Sequence, residues 1–256
     1  MRIKKKHILI SNDDGIKSPG IILLAESLSR IGKVTVVAPD RERSAVGHGL
    51  TFFHPMRVLD LGEKEGVHYF SSDGTPSDCI LLGIHLMKDW RPDIVVSGIN
   101  HGANLGDDVT YSGTVSAAME GAIQGIPSMA VSLTTYEEAD FTYAADFALT
   151  VASELIKKGL PDGVFLNVNV PAVPKNEIMG VEITHQGRSV YHQEIVKRVD
   201  PRGQEYYWIS GALPTGKPEP GSDFEAIRNK RISITPLHLS MTSFDLINEL
   251  KKWKFS

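Results

Sequence analysis

The feature that most narrows the fold of this chain is an alternation. Over the first two-thirds, short β-rich runs take turns with longer runs whose apolar residues recur at helical spacing. The short runs are His7–Ser11, Val34–Ala38, Val67–Ser71, Ile94–Ser97, Met129–Ser132 and Val164–Asn169. Several are continuously apolar rather than alternating, as strands covered on both faces require. Between them, Ile21, Leu24, Ala25, Leu28 and Ile31 keep one helical face, with Ser18 as N-cap and Pro19 at the first helical position. Thr75-Pro76-Ser77-Asp78 marks a second helix start. Val115, Ala118, Met119 and Ala122 form a third face, stopped by Gly125 and Pro127. Ala144, Ala148, Val151, Ala152 and Leu155 form a fourth, stopped at Gly159. This order predicts an α/β fold: a mostly parallel sheet with helices on both faces.

The pattern changes after about residue 185. Two β-rich runs, 188–199 and 204–210, flank Asp200-Pro201-Arg202-Gly203, whose residue types suit a type I turn. The resulting hairpin carries Tyr191, Tyr206, Tyr207 and Trp208, and a long aromatic hairpin needs a surface to pack on. The Pro- and Gly-rich stretch 213–221 reads as a loop, Ile232–Thr235 as a last strand and Phe244–Trp253 as a terminal helix.

Ligands of open parallel sheets bind beyond the carboxyl ends of the strands. Three polar loops fall there: Asn12-Asp13-Asp14-Gly15, Asp40-Arg41-Glu42-Arg43-Ser44, and the run from Gly98 to Asp108 that contains Asn100 and His101. Adjacent carboxylates repel, and burying either one unpaired is costly. A hard divalent cation resolves this, because paired carboxylates, an amide oxygen and a hydroxyl form an all-oxygen set suited to Mg²⁺, Mn²⁺ or Ca²⁺. Tyr111-Ser112-Gly113-Thr114 precedes the third helix, where free N–H groups and the helix dipole suit an anion. A metal site beside a phosphate site suggests metal-assisted phosphoryl chemistry. His48 and His101 stand in loops and are available for acid–base work, although a solvated histidine is the commoner outcome.

Composition excludes other classes. A net charge of −4 on 256 residues gives no general basic surface for a nucleic-acid polymer or a membrane. The single Cys79 cannot form an internal disulfide and sits in an apolar run as core filler. No run has the length of a membrane span, and the basic start lacks a signal-peptide pattern, so a cytoplasmic protein is expected.

Several stretches together closely resemble the stationary-phase survival protein SurE family of metal-dependent 5′/3′-nucleotidases. They are ILISNDDGI, APDRERSAVGHGLT and VSGINHGANLGDDVTYSGTVSAAMEG, with SSDGTPSDC and ISITPL in support. The resemblance spans nearly the whole chain. It implies one divalent metal per subunit, Mg²⁺ or Mn²⁺ with Ca²⁺ able to take the place, held by Asp13, Asp14, Ser44 and Asn100. It implies an anion pocket at Ser112, Gly113 and Thr114, to which Asn100 also contributes, and a catalytic role for Asp13 and Asp14. The implied activity is hydrolysis of nucleoside 5′- and 3′-monophosphates, with short polyphosphate as a further substrate. A non-catalytic nucleotide or phosphate sensor would use the same pocket. The implied fold is a Rossmann-like catalytic domain over residues 1–185. Residues 186–256 would then form a C-terminal extension (hairpin, returning strand and terminal helix) exchanged between the subunits of a homodimer or tetramer. Ser116 stands where the family often has Gly, and Ser240 where an acidic residue is common.

Overall fold

A computed structural model describes residues 6–87, 90–217 and 219–255. The apolar runs form the middle of a nine-stranded sheet. In chain order its strands are β1 (Lys6–Ser11), β2 (Gly32–Pro39), β3 (Val58–Lys64), β4 (Val67–Ser72), β5 (Ile94–His101), β6 (Ser128–Leu133), β7 (Val164–Val170), β8 (Val181–Ile183) and β11 (Ile232–His238). Two further strands, β9 (Ser189–Val199) and β10 (Glu205–Gly216), form a separate antiparallel ribbon. The sheet order is β3-β4-β2-β1-β5-β6-β7-β11-β8. From β4 across to β7 every pairing is parallel. The two antiparallel pairings, β3 on β4 and β11 on β7, lie outside this block.

Helices α1 (Pro19–Leu28), α2 (Pro76–Leu86), α3 (Gly113–Ile123) and α4 (Thr142–Lys158) connect the parallel strands. Helices α1 and α4 pack together on one face of the sheet, burying Ile21, Leu24, Leu28, Ala148 and Ala152 against Ile8, Ile10, Val96 and Val131. Helices α2 and α3 pack on the other, with Cys79, Ile80 and Ala117 against Leu9, Val37 and Val95. Both faces of β1 are therefore dry, which explains its uninterrupted run of apolar residues. Cys79 is fully buried, and burial pushes its thiol well above the usual range, so it is core filler and not a nucleophile.

Local signals explain the element ends. Thr75 caps α2 in a reciprocal box: its hydroxyl accepts from Asp78 N while the Asp78 carboxylate accepts from Thr75 N. Ser18 stands at the N-cap of α1, but its hydroxyl accepts from Asn12 Nδ2 (2.8 Å) and not from the helix. At the hairpin tip Gly203 N donates to Asp200 O (3.0 Å), and Asp200 Oδ1 accepts from Arg202 N and Gln204 N. The turn is the one its residue types favour.

Four features depart from the sequence pattern. Strand β10 runs on to Gly216, through the beginning of the stretch expected to be a loop, with a bulge between Ala212 and Thr215. Pro214 falls inside the bulge, where its missing N–H costs no ladder bond. Strand β3 carries no strong strand signal because it is a largely exposed edge with polar residues on both faces. A short helix, α5 (Asp223–Arg228), precedes β11. The terminal helix α6 (Phe244–Leu250) is shorter than its expected span and buries none of its residues.

Candidate active site

The chain runs from β1 to β2 and β4 on one side, then crosses to β5, β6 and β7 on the other. The order reverses between β1 and β5, and beyond the carboxyl ends of these two strands is where open sheets of this kind form their ligand-binding crevice. Asp13 and Asp14 leave β1 there, and Asn100 and His101 end β5. Asn12 braces the turn: its Nδ2 donates to Gly15 O (3.1 Å) and its Oδ1 accepts from Gly15 N (3.2 Å). Gly15 takes φ +97°, and a side chain there would press on the Arg41 backbone.

The three loops meet around the carboxylates. Asp13 is buried, and its Oδ1 accepts a short hydrogen bond from the Thr114 hydroxyl. A Cβ at Gly113 would lie 2.8 Å from Asp13 Cβ and 2.9 Å from Asp13 Oδ2, so this position needs glycine for the carboxylate to fit. Asp13 O accepts from Arg43 N (2.7 Å), which anchors the second loop. Asp14 Oδ2 accepts from His101 N (3.1 Å), which anchors the third. Burial raises the Asp13 carboxyl, with the Thr114 hydroxyl and the Thr114 and Gly113 N–H groups pulling the other way. Asp14 is pushed up to about 6, first by burial and then by the Asp13 charge.

The remaining expected residues lie on the same edge. Asn100 Nδ2 donates to Gly102 O (2.9 Å), leaving its Oδ1 with no hydrogen-bond partner among the described residues. Ser44 is exposed on the Arg43 loop, and its hydroxyl donates to Glu42 Oε1 (2.7 Å). Ser112 is the N-cap of α3, its Oγ accepting from Val115 N (3.1 Å). The start of α3 thus already faces one anion, the Asp13 side chain. Ser116 Oγ donates to Ser112 O (2.6 Å), so the hydroxyl is absorbed within the first turns of the helix.

The partners of some supporting residues carry no sequence signal. His48 Nε2 lies 2.9 Å from Glu120 Oε2, a buried carboxylate on α3, and ties the Ser44 loop to that helix. The His101 ring packs edge-on against Phe141, with Nε2 2.6 Å from Glu137 O, so neither histidine is a free loop side chain. Asp223, fully buried on α5, accepts from the backbone N–H groups of Gly106, Gly187 and Phe224. It thereby knits the segment before α3 to the root of the hairpin. A cleft of about 400 Å³ lies beside the site, lined by Leu133, Glu137 and Glu138 among others. Among the described residues no three His, Cys, Asp or Glu side chains converge on one point. Any ion in the crevice must take neutral oxygens alongside the two carboxylates.

Known proteins share this architecture throughout. The family model "Survival protein SurE" matches residues 8–193. A protein of Geobacter sulfurreducens named 5′-nucleotidase SurE is 53% identical over 251 residues, covering 98% of this chain and 94% of its own. One of the same name from Moorella thermoacetica is 50% identical over 95% of this chain and 94% of its own. The crystal structure of the SurE protein from Aquifex aeolicus superposes with a TM-score of 0.82 at 41% identity, covering 96% of this chain and 98% of that one. With the matched region taking in β1, the three loops and α3, and with identity near one half over almost the full length, this chain belongs to the SurE family.

Proposed function

We propose that this chain is a nucleotidase: a divalent-metal-dependent phosphomonoesterase that hydrolyses nucleoside 5′- and 3′-monophosphates to nucleoside and phosphate. Short polyphosphate is a further substrate of the same chemistry. The observation that carries the reading is the pair Asp13 and Asp14 at the reversal point of the sheet, one pressed on the start of α3 and the other open to the crevice. The name 5′-nucleotidase borne by relatives near 50% identity supports it.

The donor chemistry fits a hard cation. Asp13, Asp14, the free Asn100 Oδ1 and the Ser44 hydroxyl supply oxygen donors on three converging loops. A phosphate brought to the start of α3 meets a helix end that already faces the Asp13 carboxylate, so a cation is needed to offset the two anions. When bound, Mg²⁺ or Mn²⁺ supplies Lewis-acid polarisation of the phosphoryl group. The chain's own residues do the rest. Thr114 fixes the Asp13 carboxylate, and the start of α3 at Ser112, Gly113 and Thr114 turns the positive end of the helix dipole toward the phosphoryl oxygens. Asp14, less buried than Asp13, is the carboxylate placed to take the proton from the attacking water.

The exposed aromatic hairpin and α6 support assembly into a homodimer or tetramer through residues 188–256. Among the described residues no helix is long and apolar enough to cross a membrane. The deciding experiment is a panel of nucleoside monophosphates on metal-stripped protein, with and without added Mg²⁺ or Mn²⁺. Turnover that appears only with the cation is the expected result. Undiminished turnover in excess EDTA overturns the metal dependence, and nucleotide binding with no turnover under any condition points to the sensor reading instead.

A further inference from the structure

Tyr111 holds an unusual position. Its C=O accepts from Gly47 N (2.9 Å) on the Ser44 loop, and its N–H donates to Asp108 O (3.0 Å). The next residue, one Cα step of about 3.8 Å away, is the N-cap of α3. The backbone is therefore pinned between the proposed metal loop and the proposed phosphate helix, while the ring stays 57% exposed. The ring does not hang free. Tyr191 meets it edge-on at 6.4 Å between centroids and 79° between planes. Tyr191 is in turn fixed by its hydroxyl, which donates to Asp108 Oδ1 (2.8 Å). An aromatic face held in place beside an anion site, and left open to water, is available for a flat ring to stack on.

We propose that the Tyr111 ring is the platform on which the nucleobase of the substrate stacks, with Tyr191 as its brace. This rests on the nucleotidase reading and names the part of the substrate which that reading leaves unplaced. A phosphate at Ser112–Thr114 puts the nucleoside within reach of the adjoining ring. The 400 Å³ cleft beyond His101 is a poorer seat, because Glu137, Glu138 and Asp140 give its rim three carboxylates and only Lys175 offsets them. Stacking reads π-surface and not hydrogen-bonding edges. The platform therefore accepts every base and favours the larger purines.

The test is steady-state kinetics of the full-length protein on AMP, UMP and glycerol 2-phosphate, which has no ring. Tyr111→Ala raises KM for AMP about tenfold and for UMP less, and leaves kcat/KM for glycerol 2-phosphate within about twofold of wild type. Tyr111→Phe restores the AMP value, since the ring and not the hydroxyl is required. An unchanged KM for AMP in Tyr111→Ala overturns the proposal. So does an equal loss on all three substrates, which marks Tyr111 as a strut for the hairpin. So does a rise in KM for AMP with Ala172→Trp, which fills the cleft, and none with Tyr111→Ala. If the wild-type protein turns over no phosphate ester, the nucleotidase reading fails separately. Calorimetric titration with adenosine then decides: weaker binding to Tyr111→Ala supports the platform, and equal or absent binding overturns it.

Discussion

At the scale of single residues, the chemistry turns on how Asp13 and Asp14 are made unequal. Asp13 is locked by Thr114 and by the missing Cβ of Gly113, whereas Asp14 faces the crevice. Asp13→Asn and Asp14→Asn are each expected to lower turnover at least about 100-fold with the circular dichroism spectrum unchanged, because each removes the charge of a proposed metal ligand rather than a packing atom. The metal-free protein carries a pH signature with a definite sign. Asp14 titrates near 6 in the folded chain against an ordinary 3.8, so between these values the folded state binds more protons than the unfolded one. Stability of the metal-free protein should therefore fall as pH rises through that window, by up to about 3 kcal/mol from this group. Asp14→Asn removes this group's share of the fall and leaves that of the other buried carboxyls such as Asp13; urea melts at about pH 4 and about pH 7.5 with and without the substitution measure the difference. Gly113→Ala improves helix propensity yet should cost about 100-fold in turnover, since its methyl displaces the Asp13 carboxylate. The acidic pair and Asn100 stand out in sequence because they sit in polar stops after apolar strands, and Thr114 because it stands at a helix start. The partners of His48, His101 and Asp223 are not, because each bonds a group far away in the chain and nothing local announces it.

At the scale of elements, period and punctuation fixed most of the architecture. The six apolar runs became six parallel strands, and the Pro-led helix starts at residues 19 and 76 stand where they were expected. What escaped were elements whose stability comes from neighbours: edge strand β3, three-residue β8, and the continuation of β10 past Ala212. Such segments pair because a partner strand is at hand, and their own residues carry weak signals. The joint between α5, the hairpin root and the turn before α3 belongs to this class, and the Asp223 carboxylate bonds all three parts of it. Asp223→Ala strands two buried N–H groups and a partly buried third and is expected to destabilise the chain by about 3 kcal/mol. Chemical denaturation at fixed pH reads this directly, and a loss below about 0.5 kcal/mol would show that water replaces the carboxylate.

At the scale of the whole molecule, the apolar surface is unevenly spread. Ile195, Tyr207, Trp208 and Ile209 on the hairpin and Phe244, Trp253 and Phe255 at the C-terminus are all more than half exposed. A two-stranded ribbon with such a surface is marginal alone in water, and the expected cover is a second copy of the chain. Deleting residues 188–210 should give monomers or aggregate, although it removes no proposed metal ligand, and the melting temperature of the intact protein should rise with its concentration. A stable, active full-length monomer in light scattering at micromolar concentration excludes this assembly. The sheet order carries one more consequence, which concerns how the chain is made. Strand β8 pairs only with β11, and β11 also completes the pairing of β7. On the ribosome β8 emerges before the hairpin, α5 and β11, so it must wait unpaired until nearly the whole chain has been synthesised. The parallel block from β4 to β7 can close early, but one flank of it stays open until the last strand arrives, and a chain terminated before Ile232 would be released with that edge bare.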